Sequence, residues 1–211
     1  MIPAETLRHA EAHLRRRDRR LARLIEVHGP CTLGRRRRDP FHVLCTSIIS
    51  QQLSSKAADT IQARVEALTG TRGRLRPAAL LGLSVAQLRT AGLSTAKAKW
   101  LHALAQAVDS GALSFRRLRR LDDQAAIEVL DELPGIGRWT AEMFLIFALD
   151  RLDIFSLADV GLRRGLSQLH NGGAPLDDDA ILKLTARWAP YRSVASWYLW
   201  RIADGAVETW A

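Results

Sequence analysis

The run Leu133-Pro134-Gly135-Ile136-Gly137 constrains the fold of this chain more than any other stretch. Proline lacks an N–H and restricts the residue before it, so the helix that begins near Asp122 must end here. Glycine tolerates positive φ and lets another backbone come close, so Gly135 and Gly137 permit a tight reversal. The residues that follow, from about Arg138 to Leu149, are apolar on nearly every face except at Arg138, Thr140 and Glu142, the pattern of a buried helix. The unit is therefore helix, hairpin, helix. Amide N–H groups turned outward at the start of the second helix form an anion-binding surface that suits a phosphate oxygen.

Charge points the same way. Among 211 residues, 31 Lys and Arg against 22 Asp and Glu leave a formal net charge of +9. An anionic partner is expected, and nucleic acid before membrane, because no basic segment is accompanied by a lipid-inserting face. No apolar run approaches the length of a membrane helix, and the N-terminus is too arginine-rich and polar for a secretory signal, so the chain reads as soluble and cytoplasmic. The length suits one large or two small domains. Cys31 and Cys45 cannot supply four thiolates to an iron–sulfur cluster, and no Cys/His pattern has zinc spacing.

Along the chain the reading is helical throughout, with no convincing strand alternation and no internal repeat. Residues 4–28 read as one helix carrying basic residues at Arg15 to Arg20. A loop with a second basic cluster, Arg35 to Arg38, follows. From Pro40 two helices are broken near Gln51 to Ser54, with Ser54 or Ser55 capping the second. Pro77, Ser84, Ser94, Ser114 and Asp122 mark further starts, and Lys97 reads as exposed, a solvated lysine before a contact to the nucleic-acid backbone. After Asp159, residues 160–170 are helical. A loop then leads to a helix at 180–188, and a long aromatic-rich helix starts near Pro190, a favoured first-turn position.

The segment L-P-G-I-G-R-x-T-A, followed some twenty residues later by an Asp before V-G-L, resembles the helix-hairpin-helix (HhH-GPD) DNA glycosylase superfamily, and within it the DNA-3-methyladenine glycosylase II branch. The stretches I-I-S-Q-Q-L-S-x-K-A-A and G-L-S-x-x-K-A are similar to the same family, and the resemblance covers roughly residues 40–205. It implies an all-α fold of two helical subdomains with the active site in the cleft between them. The expected divisions are 1–39, a basic helix and loop packing with the C-terminal cluster; 40–152, a helical barrel holding the hairpin; and 153–211, the C-terminal cluster.

The resemblance also implies roles for particular residues. Gln52 or Leu53 would be the wedge that fills the gap left by a flipped nucleotide, and double-stranded DNA with damaged bases would be the partner. Asp159, which read alone is a helix N-cap, would be the catalytic carboxylate, stabilising an oxocarbenium-like sugar and positioning the attacking water. Asp153 would fix the turn. Trp139, Met143 and Trp200 would line the pocket, where an aromatic face attracts a cationic alkylated purine by roughly 0.5–2 kcal/mol. Gly135, Gly137, Arg138 and Thr140 would hold the DNA backbone, with Arg192 a further phosphate candidate. No cofactor or iron–sulfur cluster is expected; a structural Na+ or K+ would sit on the main-chain carbonyls of Asp131, Leu133 and Ile136.

In family members that also cleave the strand, a lysine follows G-I-G-R and forms a Schiff base with the sugar. Here that residue is Trp139. The expectation is a monofunctional, monomeric glycosylase that hydrolytically removes 3-methyladenine- and 7-methylguanine-type purines and leaves an abasic site. Two alternatives stand beside it: a non-catalytic helix-hairpin-helix DNA-binding protein, and a glycosylase for another lesion.

Overall fold

Side-chain caps write most of the helix starts. In the computed structural model, which describes residues 1–203, all regular structure is helical. The chain begins with α1 (Ala4–Arg17) and α2 (Arg19–His28), where a single helix over 4–28 is expected. Asp18 causes the break: its backbone is extended, and its carboxylate caps α2 by accepting the N–H groups of Arg20 and Leu21. The Trp188 indole N–H also donates to that carboxylate, at 3.0 Å, and His170 Nε2 lies 3.1 Å away, so distant partners hold Asp18 out of helical geometry.

The next elements are α3 (Pro40–Ser50), α4 (Ser55–Thr69), α5 (Pro77–Leu81), α6 (Val85–Thr90), α7 (Thr95–Asp109), α8 (Phe115–Leu118), α9 (Asp123–Asp131) and α10 (Arg138–Phe147). Asp39, Ser54, Ser84, Ser94, Ser114 and Asp122 each accept a backbone N–H at the start of one of these helices. At α6, Gln87 closes a reciprocal capping box with Ser84. Then come α11 (Val160–His170), α12 (Asp178–Ala186) and α13 (Arg192–Ala203). Asp177 caps α12, so that helix starts two residues earlier than expected. The last helix starts at Arg192, beyond Pro190, whose peptide bond to Ala189 is cis. The rest of the aromatic-rich segment lies outside the described residues.

The chain packs as two units, residues 38–144 on one hand and residues 1–37 with 145 onward on the other. The first division falls close to the expected 39/40. The second lies inside α10, eight residues before the expected 152/153; every residue from 141 to 149 is buried, so no polar break marks the division in sequence.

Within the 38–144 unit, α3 packs on α4 and α7, and α5 and α6 pack on α7. Phe41, Leu44, Ile48, Leu101 and Leu104 are buried there. In the other unit α11 packs on α13, and α1 and α2 pack on each other and on α13. Trp188 and Tyr198 are fully buried, and the Tyr198 hydroxyl donates to Glu11 and to the Gly29 carbonyl. At Gly165 of α11 an added Cβ would lie 2.6 Å from the carbonyl oxygen of Leu199 on α13.

Candidate active site and nucleic-acid interface

The hairpin needs glycine at one of its two glycine positions. Gly135 has φ +84, and a Cβ there would lie 2.5 Å from the Trp100 ring of α7, so both backbone and space exclude a side chain. Gly137 is not left-handed, and the nearest atom to a Cβ there is Asp131 Oδ1 at 3.9 Å, so the conformational argument made for it fails. The turn closes through Ile136 N–H to the Leu133 carbonyl at 3.0 Å. Its exit is continuous with the first turn of α10, where Ala141 N–H donates to the Gly137 carbonyl.

On α10, Trp139 is 37% exposed while Met143, one turn later, is buried. Thr140, expected to face a phosphate, is buried instead. Arg138 keeps an exposed guanidinium although its Nε donates to the buried Glu142 at 3.0 Å and its Nη2 to Gln124 at 3.1 Å.

The loop between α3 and α4 is tied to its surroundings from two sides. Gln52 is left-handed at φ +58, and Leu53 is 38% exposed, so this turn projects side chains outward. Beneath it, Gln51 Nε2 donates to the Gly135 carbonyl at 2.8 Å, linking loop to hairpin. Lys97 is not a solvated lysine: its Nζ donates to the carbonyls of Ile49 at 2.7 Å and Gln51 at 2.6 Å. Burial lowers its pKa from the ordinary lysine value.

In the other unit, Asp159 caps α11. Its Oδ1 accepts the Leu162 N–H at 2.7 Å and the Trp200 indole N–H at 3.1 Å, and the residue is only 7% exposed. Trp200 stacks on Phe147 with ring centroids 5.5 Å apart, which fixes the indole that steers the carboxylate. Gly161 makes room: a Cβ there would lie 3.2 Å from Asp159 Oδ1 and 3.3 Å from Trp200.

Asp153 accepts Arg192 N–H at 3.1 Å and its Nε at 2.8 Å, and Ser193 N–H donates to the Leu152 carbonyl at 2.9 Å. The turn before Asp159 is thereby stitched to the start of α13, the helix that carries Trp200. Arg192 is thus held in an ion pair, where a phosphate contact had been a candidate role. Two elements of the site escape sequence reasoning, the Trp200 N–H and the Lys97 ammonium. The polar residues Gln51 and Lys97 lie within the motifs, but nothing local names their partners.

Of the basic clusters, Arg15 pairs with Glu26 and Arg20 reaches the Leu169 carbonyl, whereas Arg35, Arg36 and Arg37 are exposed. Both cysteines are free and buried; burial pushes the Cys31 thiol up to about 12 and Cys45 well above its ordinary value. Among the described residues no group of three or more His, Cys, Asp or Glu could hold a metal ion, and no helix is long and apolar enough to cross a membrane. The hairpin carbonyls are a different donor set. That of Leu133 accepts one N–H and keeps a second lone pair, and neutral main-chain oxygens suit a hard monovalent cation.

Residues 45–190 match the family described as HhH-GPD superfamily base excision DNA repair protein. DNA-3-methyladenine glycosylase 1 of Schizosaccharomyces pombe is 33% identical over 207 residues, covering 97% of this chain and 91% of that protein. The DNA-3-methyladenine glycosylase of Saccharomyces cerevisiae is 32% identical, covering 86% of this chain and 71% of the relative. The crystal structure of a DNA-3-methyladenine glycosidase from Bacillus halodurans superposes with a TM-score of 0.83 at 39% identity, covering 93% of this chain and 89% of that one. The S. pombe 3-methyladenine DNA glycosylase in complex with abasic DNA gives 0.78 at 33% identity, covering 92% and 95%. With the hairpin, the projecting loop and the capped aspartate in place, this chain belongs to the HhH-GPD superfamily of base excision DNA repair proteins.

Proposed function

We propose that this protein is a DNA glycosylase that releases alkylated purines of the 3-methyladenine and 7-methylguanine type from duplex DNA by hydrolysis, without cleaving the strand. The observation that carries the reading is Asp159: a nearly buried carboxylate whose Oδ1 is aimed by two N–H donors, with an exposed Val160 beside it. Capping α11 would be served as well by a neutral Ser or Thr, and a module that only binds DNA gains nothing from the negative charge itself, because phosphates repel it.

Departure of the base leaves positive charge on the deoxyribose. Asp159 stabilises that charge and orients or deprotonates the attacking water, whose oxygen bonds to C1′ while the base leaves with the bond electrons. The two hydrogen bonds set the direction of the carboxylate before reaction, so little reorganisation is needed. Trp139, exposed on α10, offers an aromatic face to a cationic base. An indole cannot form a Schiff base, which supports the monofunctional reading. Amides at Gly135 and Gly137, with Arg138, would hold the DNA backbone. The carbonyls of Asp131, Leu133 and Ile136 would hold Na+ or K+, which supplies fixed positive charge next to phosphate. Gln52 and Leu53 would fill the vacated stack.

The test is base release from methylated duplex DNA by the parent protein and Asp159→Asn, with freed bases separated by chromatography and strand scission scored before and after alkali. Asparagine keeps an oxygen to accept both N–H bonds, so the fold should persist. Methylpurine release by the parent alone, with breaks only after alkali, is expected. Full activity in Asp159→Asn removes the mechanism, and scission before alkali removes the monofunctional reading.

A further inference from the structure

The two segments that would touch DNA in the 38–144 unit, the Gln51–Leu53 turn and the hairpin, are far apart in sequence and joined through one helix. Lys97 and Trp100 stand three residues apart on α7, hence on one face of it. Trp100 packs against Gly135 so closely that no Cβ fits there. Lys97 donates to the carbonyls of Ile49 and Gln51, at the C-terminal end of α3 where carbonyls lack helical partners. Gln51 closes the triangle through the Gly135 carbonyl.

We propose that Lys97 is a positioning residue for base excision: its ammonium pins the base of the Gln51–Leu53 turn, so that the projecting residue is held in register with the hairpin when a nucleotide is extruded. The inference rests on the proposed glycosylase reading and deepens it. The turn is closed by one backbone bond of its own, Leu53 N–H to the Ser50 carbonyl at 3.1 Å, and its left-handed Gln52 is exposed at the tip, so its attachment to the hairpin depends on Gln51 and Lys97. Without the ammonium, the last carbonyls of α3 would turn to water and the tip would move relative to the hairpin. The ammonium is engaged by the Ile49 and Gln51 carbonyls, so on this proposal it acts through the turn. Its removal should therefore slow the step that needs the filled gap and leave the general grip on phosphates alone.

The experiment compares the parent, Lys97→Met and Lys97→Cys, the last before and after alkylation with 2-bromoethylamine, which rebuilds an ammonium of nearly the same reach. Cys31 and Cys45 are 1% and 0% exposed, so the reagent reads position 97. Single-turnover release of a methylated purine from duplex DNA is measured beside affinity for undamaged duplex. Lys97→Met and unmodified Lys97→Cys should release base about 10- to 100-fold more slowly, the scale of losing hydrogen bonds from a charged donor. Affinity for undamaged DNA should change by less than about threefold, since no phosphate contact is removed. Aminoethylation should restore most of the rate.

Parent-like release by Lys97→Met overturns the proposal, as does failure of the rebuilt ammonium to restore it. An equal loss of affinity for undamaged DNA also overturns it, because the role would then be general integrity of the unit. If the parent protein releases no base, the glycosylase reading itself has failed, which is a separate result.

Discussion

Replacing Gly165 by alanine tests how the Asp159 carboxylate is held in place. The added Cβ would stand 2.6 Å from the Leu199 carbonyl oxygen and 3.2 Å from its carbon, both backbone atoms that cannot rotate away. Ordinary contact begins at 3.4 Å, so α11 and α13 must part by roughly 0.8 Å at their crossing. Overpacking of this kind costs about 1–3 kcal/mol. For a chain of this size each kcal/mol lowers the melting temperature by about 2–4 °C, so a fall of about 2–12 °C is expected. The same displacement acts on function, because Asp159 caps α11 and Trp200 rides on α13. A misplacement near 1 Å can slow a reaction by about a hundredfold. Thermal melting and single-turnover base release read the two effects. A variant that melts within a degree of the parent and reacts at the same rate would refute the reasoning, since the backbone contact would then be absent. Gly137→Ala is the steric control: with its nearest neighbour at 3.9 Å, it should melt like the parent.

Trp200→Phe keeps an aromatic ring against Phe147 but removes the N–H that steers Asp159, so single-turnover release should fall about tenfold with little change in melting temperature; an unchanged rate would deny the steering role. Burial would raise the Asp18 carboxyl, but the His170 and Trp188 side chains and the Leu21 N–H outweigh it and bring the pKa down to about 2. A carboxylate below its unfolded value of about 3.9 stabilises above that pH and loses the contribution as pH falls toward 2, so acid unfolding should be less steep in Asp18→Asn over that window. Affinity for undamaged duplex should fall steeply with salt, by a log–log slope of about 0.9 per phosphate contacted; a flat response would remove the DNA-binding surface from the reading.

What the sequence made legible is what neighbours determine. Ser54, Ser84, Ser94, Ser114 and Asp122 cap helices where they were expected to, because an N-cap acts on amides two or three residues away. Asp18 was hidden inside an apparently continuous helix because the partners that settle its conformation, His170 and Trp188, are some 150 residues on or more. Lys97 looked solvated for the same reason: its acceptors are carbonyls 46 and 48 residues earlier, and carbonyls leave no mark in a sequence. The resemblance implied a pocket role for Trp200, yet the hydrogen bond from its indole to Asp159 depends on how α13 is anchored at Asp153 and Arg192. Thr140 and Gly137 show the reverse failure: burial does not support a phosphate contact at the Thr140 side chain, and backbone geometry does not require glycine at 137.

The two buried cysteines bear on survival as well as packing. On the proposed reading this protein works where methylating agents are present, and such agents attack soft sulfur before most other groups. Burial pushes the Cys31 thiol up to about 12, so at pH 7 it stays in the unreactive neutral form, and its sulfur is out of reach of solvent. Cys45 is fully enclosed, and burial holds its thiol well above the ordinary value too. Neither cysteine thus presents a ready thiolate target to the chemistry whose products the protein would remove, and its activity should outlast doses of methylating agent that inactivate proteins with an exposed thiolate.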